Sequence, residues 1–325
     1  MNSEKRWFLL LGCLLLWAIT GCVRGGGGDD SDGDDDDSDS APAAYTQVSA
    51  GGWHTCGLGV SGELECWGDG SSDANCNPYE GNTDCGQSAP PSGTFSQVTT
   101  GAWHSCGIDS SGAVLCWGFD ESGQSTPPPG TFTQIDAGFE HTCGIDSSGA
   151  VQCWGRDAEE SPPPSGTFSQ VSGGGYNTCA LDGSGTLQCW GSNSVGQSVP
   201  PAGTFTQVEA GGNHACAIDG GGSVQCWGDD YFGQATPPSG TFTQVSAGGG
   251  LHSCAIDSSD AVHCWGAGLT DTDCTYAGGW ACGQSMPPSG AFIQVSGGNY
   301  HSCGIDSSGS VHCWGLDDDG QSTPP

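Results

Sequence analysis

Cys143-Gly-Ile-Asp-Ser-Ser-Gly-Ala-Val-Gln-Cys153, followed by Trp154-Gly155, is the stretch on which the fold turns. Its centre, Ser147-Ser148-Gly149, has the composition of a three-residue hairpin loop: a type I turn closed by a left-handed glycine. Such a loop pairs Asp146 with Ala150, so Ile145 faces Val151 and Cys143 faces Cys153. Side chains alternate between the two faces of a strand, which puts both cysteines on one face with Ile145 and Val151. An opposed cross-strand pair brings its Cβ atoms within disulfide reach. Trp154 and the small residue Gly144 fall on the other face. A ribbon that is apolar or small on both sides needs packing partners on both sides.

The unit recurs seven times. Cys-Trp-Gly places its tryptophan at Trp67, Trp117, Trp154, Trp190, Trp227, Trp265 and Trp314, at intervals of 50, 37, 36, 37, 38 and 49 residues. A second cysteine lies ten positions before each first one, giving Cys56–Cys66, Cys106–Cys116, Cys143–Cys153, Cys179–Cys189, Cys216–Cys226, Cys254–Cys264 and Cys303–Cys313 as predicted intra-hairpin disulfides. Each contributes roughly 2–3 kcal/mol on the loop-entropy model. Zinc is the alternative for paired cysteines, but it favours clustered spacings such as C-x₂-C. Seven antiparallel units of three or four strands, each held between neighbours, predict an all-β, seven-bladed β-propeller. A linear solenoid is the alternative, and it needs polar end caps that are missing here. The first unit opens at Tyr45-Thr46-Gln47-Val48 and Pro324-Pro325 falls where the next such strand would begin. The N-terminal strand is therefore expected to complete or abut the last unit. Within the ring, the Cys-Trp-Gly tryptophans read as inter-blade packing. His54, His104, His141, His214, His252 and His301 share one slot, with Asn177 in the fourth copy. A polar group that Asn can imitate reads as a structural hydrogen-bonder.

Gly297-Gly298-Asn299-Tyr300-His301-Ser302-Cys303, then Ser308-Gly309-Ser310-Val311-His312-Cys313-Trp314-Gly315, with Gly-Gln closing most units, resembles the repeat of the regulator of chromosome condensation family. The resemblance runs from Tyr45 to Pro325 and implies a seven-bladed propeller. The 36–38-residue spacing of the central copies is similar to the short-repeat version in exported bacterial proteins. The family's guanine nucleotide exchange activity is not expected, because no insertion resembles the eukaryotic wedge segment.

An export signal argues the same way. Lys5 and Arg6 precede the apolar run Trp7–Trp17, which is too short for a stable membrane span. Ile19-Thr20-Gly21-Cys22 resembles the bacterial lipobox, in which the cysteine is acylated and becomes the new N-terminus. An ordinary secretory signal is the alternative. Residues 1–22 are thus expected to be a lipoprotein signal, 23–43 a Gly/Asp-rich extended tether, and 44–325 the propeller. Asp30-Ser31-Asp32-Gly33-Asp34 only faintly resembles a calcium loop, lacking glycine at the sixth position and glutamate at the twelfth. Val23 lacks the aspartate of inner-membrane retention, so the expected location is the bacterial cell envelope, at the outer membrane or cell surface.

Charge narrows the partners. Lys+Arg 4 against Asp+Glu 37 gives a net charge of −33. Nucleic acids and anionic lipid headgroups need a basic surface, so membrane contact is expected only through the N-terminal lipid. Cys 20 and Trp 12 argue for a folded domain despite the abundance of glycine and proline.

Function is sought where the symmetry breaks. Between Trp-Gly and Gly-Gln, blade 2 has four residues (Phe119–Ser122), blade 1 seventeen (Asp69–Cys85) and blade 6 sixteen (Ala267–Cys282). The long loops carry their own predicted disulfides, Cys76–Cys85 and Cys274–Cys282, and are expected on one face, flanking blade 7. They present Tyr79, Leu269, Tyr276 and Trp280; blade 7 adds Asp317, Asp318 and Asp319 between them. These seven residues are the ligand-binding candidates. Asp317–Asp319 are also weak calcium candidates; no other cofactor is expected. Neither G-x-S-x-G nor H-E-x-x-H occurs, and no catalytic constellation is found. The expected function is a monomeric, extracytoplasmic binding module for a protein or a glycan. The alternatives are a carbohydrate-active enzyme using acidic residues of the loop face, and a calcium-stabilised structural protein of the envelope.

Overall fold

The computed structural model describes residues 44–72, 76–156, 162–269 and 283–325. The signal, lipobox and tether readings, the Cys274–Cys282 pair, Tyr276 and Trp280 lie outside the described residues.

The hairpin forms as its turn chemistry dictates. Asp146 N–H donates to the Ala150 carbonyl at 2.9 Å, and Gly149 takes φ +86°. Asp146 Oδ1 accepts Ser148 N–H at 2.8 Å and Ala150 N–H at 3.1 Å, tying the turn from within. The resulting register sets Ile145 opposite Val151 and Cys143 opposite Cys153. All seven hairpin cystines are present, with Cα–Cα distances of 4.0–4.1 Å, and Cys76–Cys85 makes an eighth bridge at 4.7 Å. Eight disulfides place the folded chain in an oxidising compartment.

Each blade is a three-stranded antiparallel sheet in simple sequence order. In blade 1 these are β1 (Tyr45–Ala50), β2 (His54–Gly59) and β3 (Leu64–Gly68). The six following blades span residues 95–118, 132–155, 168–191, 205–228, 242–266 and 292–315. No strand is exchanged at closure; β1 stays in its own sheet and abuts blade 7.

The core lies between blades rather than within them. Cys143, Ile145 and Val151 of blade 3 pack on Phe168, Val171 and Ala180 of blade 4, with Trp190 against the edge. The disulfide face of one blade thus meets the aromatic and small face of the next. Each fully buried aromatic or aliphatic side chain contributes roughly 1.5–3 kcal/mol. The closing seam repeats the arrangement, with Tyr45, Val48 and Trp67 of blade 1 on Cys303 and Ile305 of blade 7. The ring is shut by the same chemistry that joins its other blades.

Hydrogen bonds add a second closed circuit. Gln47 Nε2 donates to the Val98 carbonyl at 2.8 Å, while Val98 N–H donates to Gln47 Oε1 at 3.0 Å. The same two-bond clasp runs from every blade to the next, and Gln294 returns it to Val48 of blade 1. The Gly-Gln closures serve the same end through their backbone. The Gln87 carbonyl accepts both Trp117 Nε1–H at 2.8 Å and the Ser105 hydroxyl at 3.0 Å. Gln321 does this for Trp67 and Thr55 across the closing seam. Two of the sequence's recurring signatures, Cys-Trp-Gly and Gly-Gln, are therefore halves of one inter-blade joint.

Candidate recognition face

The first-to-second strand turns and the third-strand exits share one end of every blade, because His54 pairs with Gly68 and its counterparts do likewise. That end carries the insertion loops. The opposite end carries the Asp-capped hairpin turns.

The blade 1 loop is held in place by more than its disulfide. A short 3₁₀ turn (Pro78–Glu80) lifts Tyr79 out of the loop. The Tyr79 ring packs edge-on against Trp103 at 6.2 Å and Phe119 at 5.7 Å, both from blade 2. Its hydroxyl donates to Glu140 Oε1 of blade 3 at 2.9 Å. Burial and this bond hold the phenol above its ordinary pKa. The other Glu140 oxygen accepts Arg156 at 2.6 Å, and Glu140 itself is only 3% exposed. Arg156 is the only Lys or Arg between residues 44 and 325. The loop therefore leans over blades 2 and 3. The expectation that it would flank blade 7 overlooked the aromatic shelf at Trp103 and Phe119, against which Tyr79 packs.

The other candidates separate. Leu269 is 59% exposed at the root of the blade 6 loop. Asp317 uses Oδ1 on Ser322 N–H at 2.7 Å and Oδ2 on the Thr323 hydroxyl at 2.7 Å. Asp120 and Asp230 make the same pair of bonds in blades 2 and 5, which assigns this position to loop capping. Asp318 and Asp319 are exposed. Burial, followed by the charges of Asp69 and Asp318, raises the Asp319 pKa. Among the described residues, no group of three His, Cys, Asp or Glu side chains is placed to hold a metal ion.

Other features of the site were not anticipated. Five aromatic residues sit in the turns of this face: Trp53, Trp103, Phe139, Tyr176 and Tyr300. Trp53 lies against Tyr300 at 4.9 Å, and Phe139 against Tyr176 at 5.9 Å. They stand one position before the histidine column or two, and that proximity was the available signal. The first strands line a central channel with a cavity of about 150 Å³, into which Asp136 and Glu209 project. Ser49, Thr99, Asp136, Ser172, Ser246 and Ser296 each accept a backbone N–H of the following blade at 2.9–3.1 Å. Glu209 occupies the seventh position of that circle but turns to the amides of Gln170 and Gln207, both at 3.3 Å. Burial and the Asp136 charge push it up to about 8.

The model of the regulator of chromosome condensation (RCC1) repeat matches residues 45–73, 95–124, 132–159, 168–197, 205–234 and 292–321. The chain belongs to this repeat family. The matched segments coincide with blades 1 to 5 and blade 7, and blade 6 has the same three strands. The RCC1-repeat propeller is an interaction module. Among solved structures, the chain is similar to the CRINKLY WD40 ectodomain of the Arabidopsis thaliana receptor kinase ACR4. Identity there is 26%, covering 87% of this chain and 99% of that one, at TM-score 0.65. The ectodomain of the Physcomitrella patens receptor kinase CR4 is 22% identical over 84% of this chain and 73% of that one, at TM-score 0.64. Yeast RCC1 (Prp20), crystallised with Kap60, is 17% identical over 70% and 71%, at TM-score 0.58, and shares the fold. No curated protein matches the chain.

Proposed function

We propose that this RCC1-repeat propeller is an exported recognition module, lipid-anchored in the bacterial envelope through Cys22, that binds a protein partner through the face bearing the blade 1 and blade 6 loops. The observation that carries the reading is the Tyr79 latch. A loop of seventeen residues is stapled by Cys76–Cys85 and bonded through Tyr79 to Glu140, two blades away. A projection fixed in advance loses little conformational entropy on binding, which is how interaction loops gain affinity. Its aromatic content is of the kind that anchors interfaces. The ectodomain placement of the Arabidopsis relative agrees with a role outside the cytoplasm.

The test replaces residues 69–85 with the four-residue linker of blade 2, Phe119–Ser122, in the full oxidised chain. Disulfide-intact folding should persist, while capture of envelope or host proteins by the parent chain is lost. Capture that survives the replacement rejects the loop-face reading; capture of polysaccharide alone redirects it to glycans. In the same cells, Cys22→Ala should move the chain from the membrane fraction to the soluble one.

A further inference from the structure

Of the eight disulfides among the described residues, seven sit where strand pairing has already brought their cysteines together. Cys56 faces Cys66 across β2 and β3, and the other six hairpin pairs are opposed in the same register. Both cysteines of each pair pack in an inter-blade core cluster, and the first of each is fully buried. Cys76 and Cys85 belong to none of these clusters. Between them the backbone pairs through an isolated bridge, Asn77 with Asn82, at 3.0 and 3.1 Å. The Cys85 end is anchored. Its N–H donates to Gln87 Oε1 at 2.8 Å, and Gln87 Nε2 donates to the Thr83 carbonyl at 2.8 Å. Cys85 is 4% exposed, whereas Cys76 is half-buried. The small ring that this disulfide closes carries Tyr79. Tyr79 in turn packs on Trp103, whose Nε1 is sealed from solvent without a hydrogen-bond partner.

Resting on the loop-face reading above, we propose that Cys76–Cys85 is a redox-controlled latch: a dithiol reductant opens this bridge ahead of the hairpin cystines, frees Tyr79 from blades 2 and 3, and switches off partner binding while the ring stays closed. A thiolate of the reductant attacks Cys76 Sγ, the S–S bond breaks, and Cys85 leaves as a thiolate that takes up a proton. The second thiol of the reductant then attacks the mixed disulfide and releases Cys76, which takes up the other proton. The protein gains two electrons and two protons, and the dithiol becomes its own disulfide. A hairpin cystine attacked in the same way responds differently. Its displaced thiolate is held opposite the mixed disulfide by strand pairing and core packing, so it re-forms the bridge at high effective concentration. In the loop, the cystine is itself the closure. Once it is cut, the Tyr79 contacts must be made against the entropy of an open chain.

The experiment exposes the full oxidised chain to graded dithiothreitol, traps free thiols by alkylation, maps them cysteine by cysteine and follows tryptophan emission in parallel. Cys76 and Cys85 should be alkylated roughly tenfold faster than any hairpin cysteine. Emission should shift to the red as water reaches Trp103, and the shift should be absent in Trp103→Phe. The double variant Cys76→Ser with Cys85→Ser should start at the shifted emission without reductant. Hairpin cysteines alkylated as fast as Cys76 and Cys85, or a bridge that opens with no Trp103-dependent shift, overturns the proposal. The two readings fail separately. A chain that loses its partner on loop replacement, yet keeps it after selective reduction or keeps Cys76–Cys85 as long as its hairpin cystines, overturns the latch alone. A chain whose bridge opens first and uncovers Trp103, but which holds its partner after loop replacement, overturns the loop-face reading alone.

Discussion

Between blades 2 and 3, His104 Nε2 meets Thr142 Oγ1 at 2.8 Å; between blades 4 and 5, the equivalent positions hold Asn177 and Ala215. In the first seam the Thr142 hydroxyl donates onward to the Gln124 carbonyl at 3.1 Å. Its proton is therefore used, and the imidazole must donate from Nε2, leaving Nδ1 as the bare nitrogen. In the second seam the hydroxyl is gone, and neither amide atom of the buried Asn177 has a partner. Histidine and hydroxyl have been lost together. The contrast teaches that the histidine column is one half of a two-residue joint: when one half changes, the other has no purpose. It also explains why asparagine can stand in the column at all, since the ring is still clasped there by Gln170 and Val208.

Acid should expose the difference most strongly. Burial lowers His54, His104 and His252 from 6.5 to about 3, and His214 and His301 to about 4. In the unfolded chain these imidazoles take up protons near pH 6.5 that the fold refuses. Stability from them is present above that pH and is lost as pH falls towards 4 and 3. Each such imidazole removes about 1.4 kcal/mol per pH unit once its unfolded form is protonated. Urea unfolding of the disulfide-intact chain should show a steep decline from pH 6.5 to 4. His104→Asn, which copies the blade 4 seam, should make that slope shallower by one group. A stability that stays flat over this range would mean the column is not neutral and buried as described.

Restoring the missing joint should have a smaller effect, of opposite sign. The Gln197 carbonyl already accepts Trp227 Nε1–H at 2.9 Å, so it is placed to take a hydroxyl proton as Gln124 does. Asn177→His with Ala215→Thr should stabilise by about 1 kcal/mol, the usual net value of a made hydrogen bond. Asn177→His alone should bring no such gain, because it exchanges an unpartnered buried amide for an imidazole whose N–H still lacks an acceptor. Denaturation midpoints of the two single variants and the double variant give the coupling directly. Additive effects would show that the two positions do not communicate.

These joints also mark the boundary of what could be read without coordinates. Hairpin register, cystine pairing and blade number are set within a dozen residues or by repetition, and Cys143, Asp146 and Gly149 announce them locally. The Gln47 clasp acts on a backbone 51 residues away, so its recurrence was visible but its partner was not. Tyr79 finds Glu140 at a separation of 61 residues, and no local rule could send the loop towards blade 3 rather than blade 7. Asp136 and Glu209 visibly break a column of Ser and Thr, yet their meaning needed a channel that only closure creates.

Glu209 provides the finest test, because it is the channel's own departure from the pattern. Its carboxyl favours the protonated form in the fold, with its pKa raised from 4.5 to about 8. The stability linked to it is thus fully present below pH 4.5 and lost as pH rises through 8. This is the reverse of the histidine column. Glu209→Ser removes that loss and supplies the short hydroxyl that Ser172 uses to accept Ala210 N–H at 3.0 Å. The natural target of such a hydroxyl is Ala247 N–H, by analogy with the other six blades. Parent and variant should therefore have similar melting temperatures near pH 5. The variant should pull ahead in melting temperature near pH 9, because only the parent loses stability as the buried carboxyl ionises. Parallel curves across that range would mean that Glu209 is already solvated and charged in the channel. The joint at blade 5 would then be missing for reasons unrelated to its carboxyl.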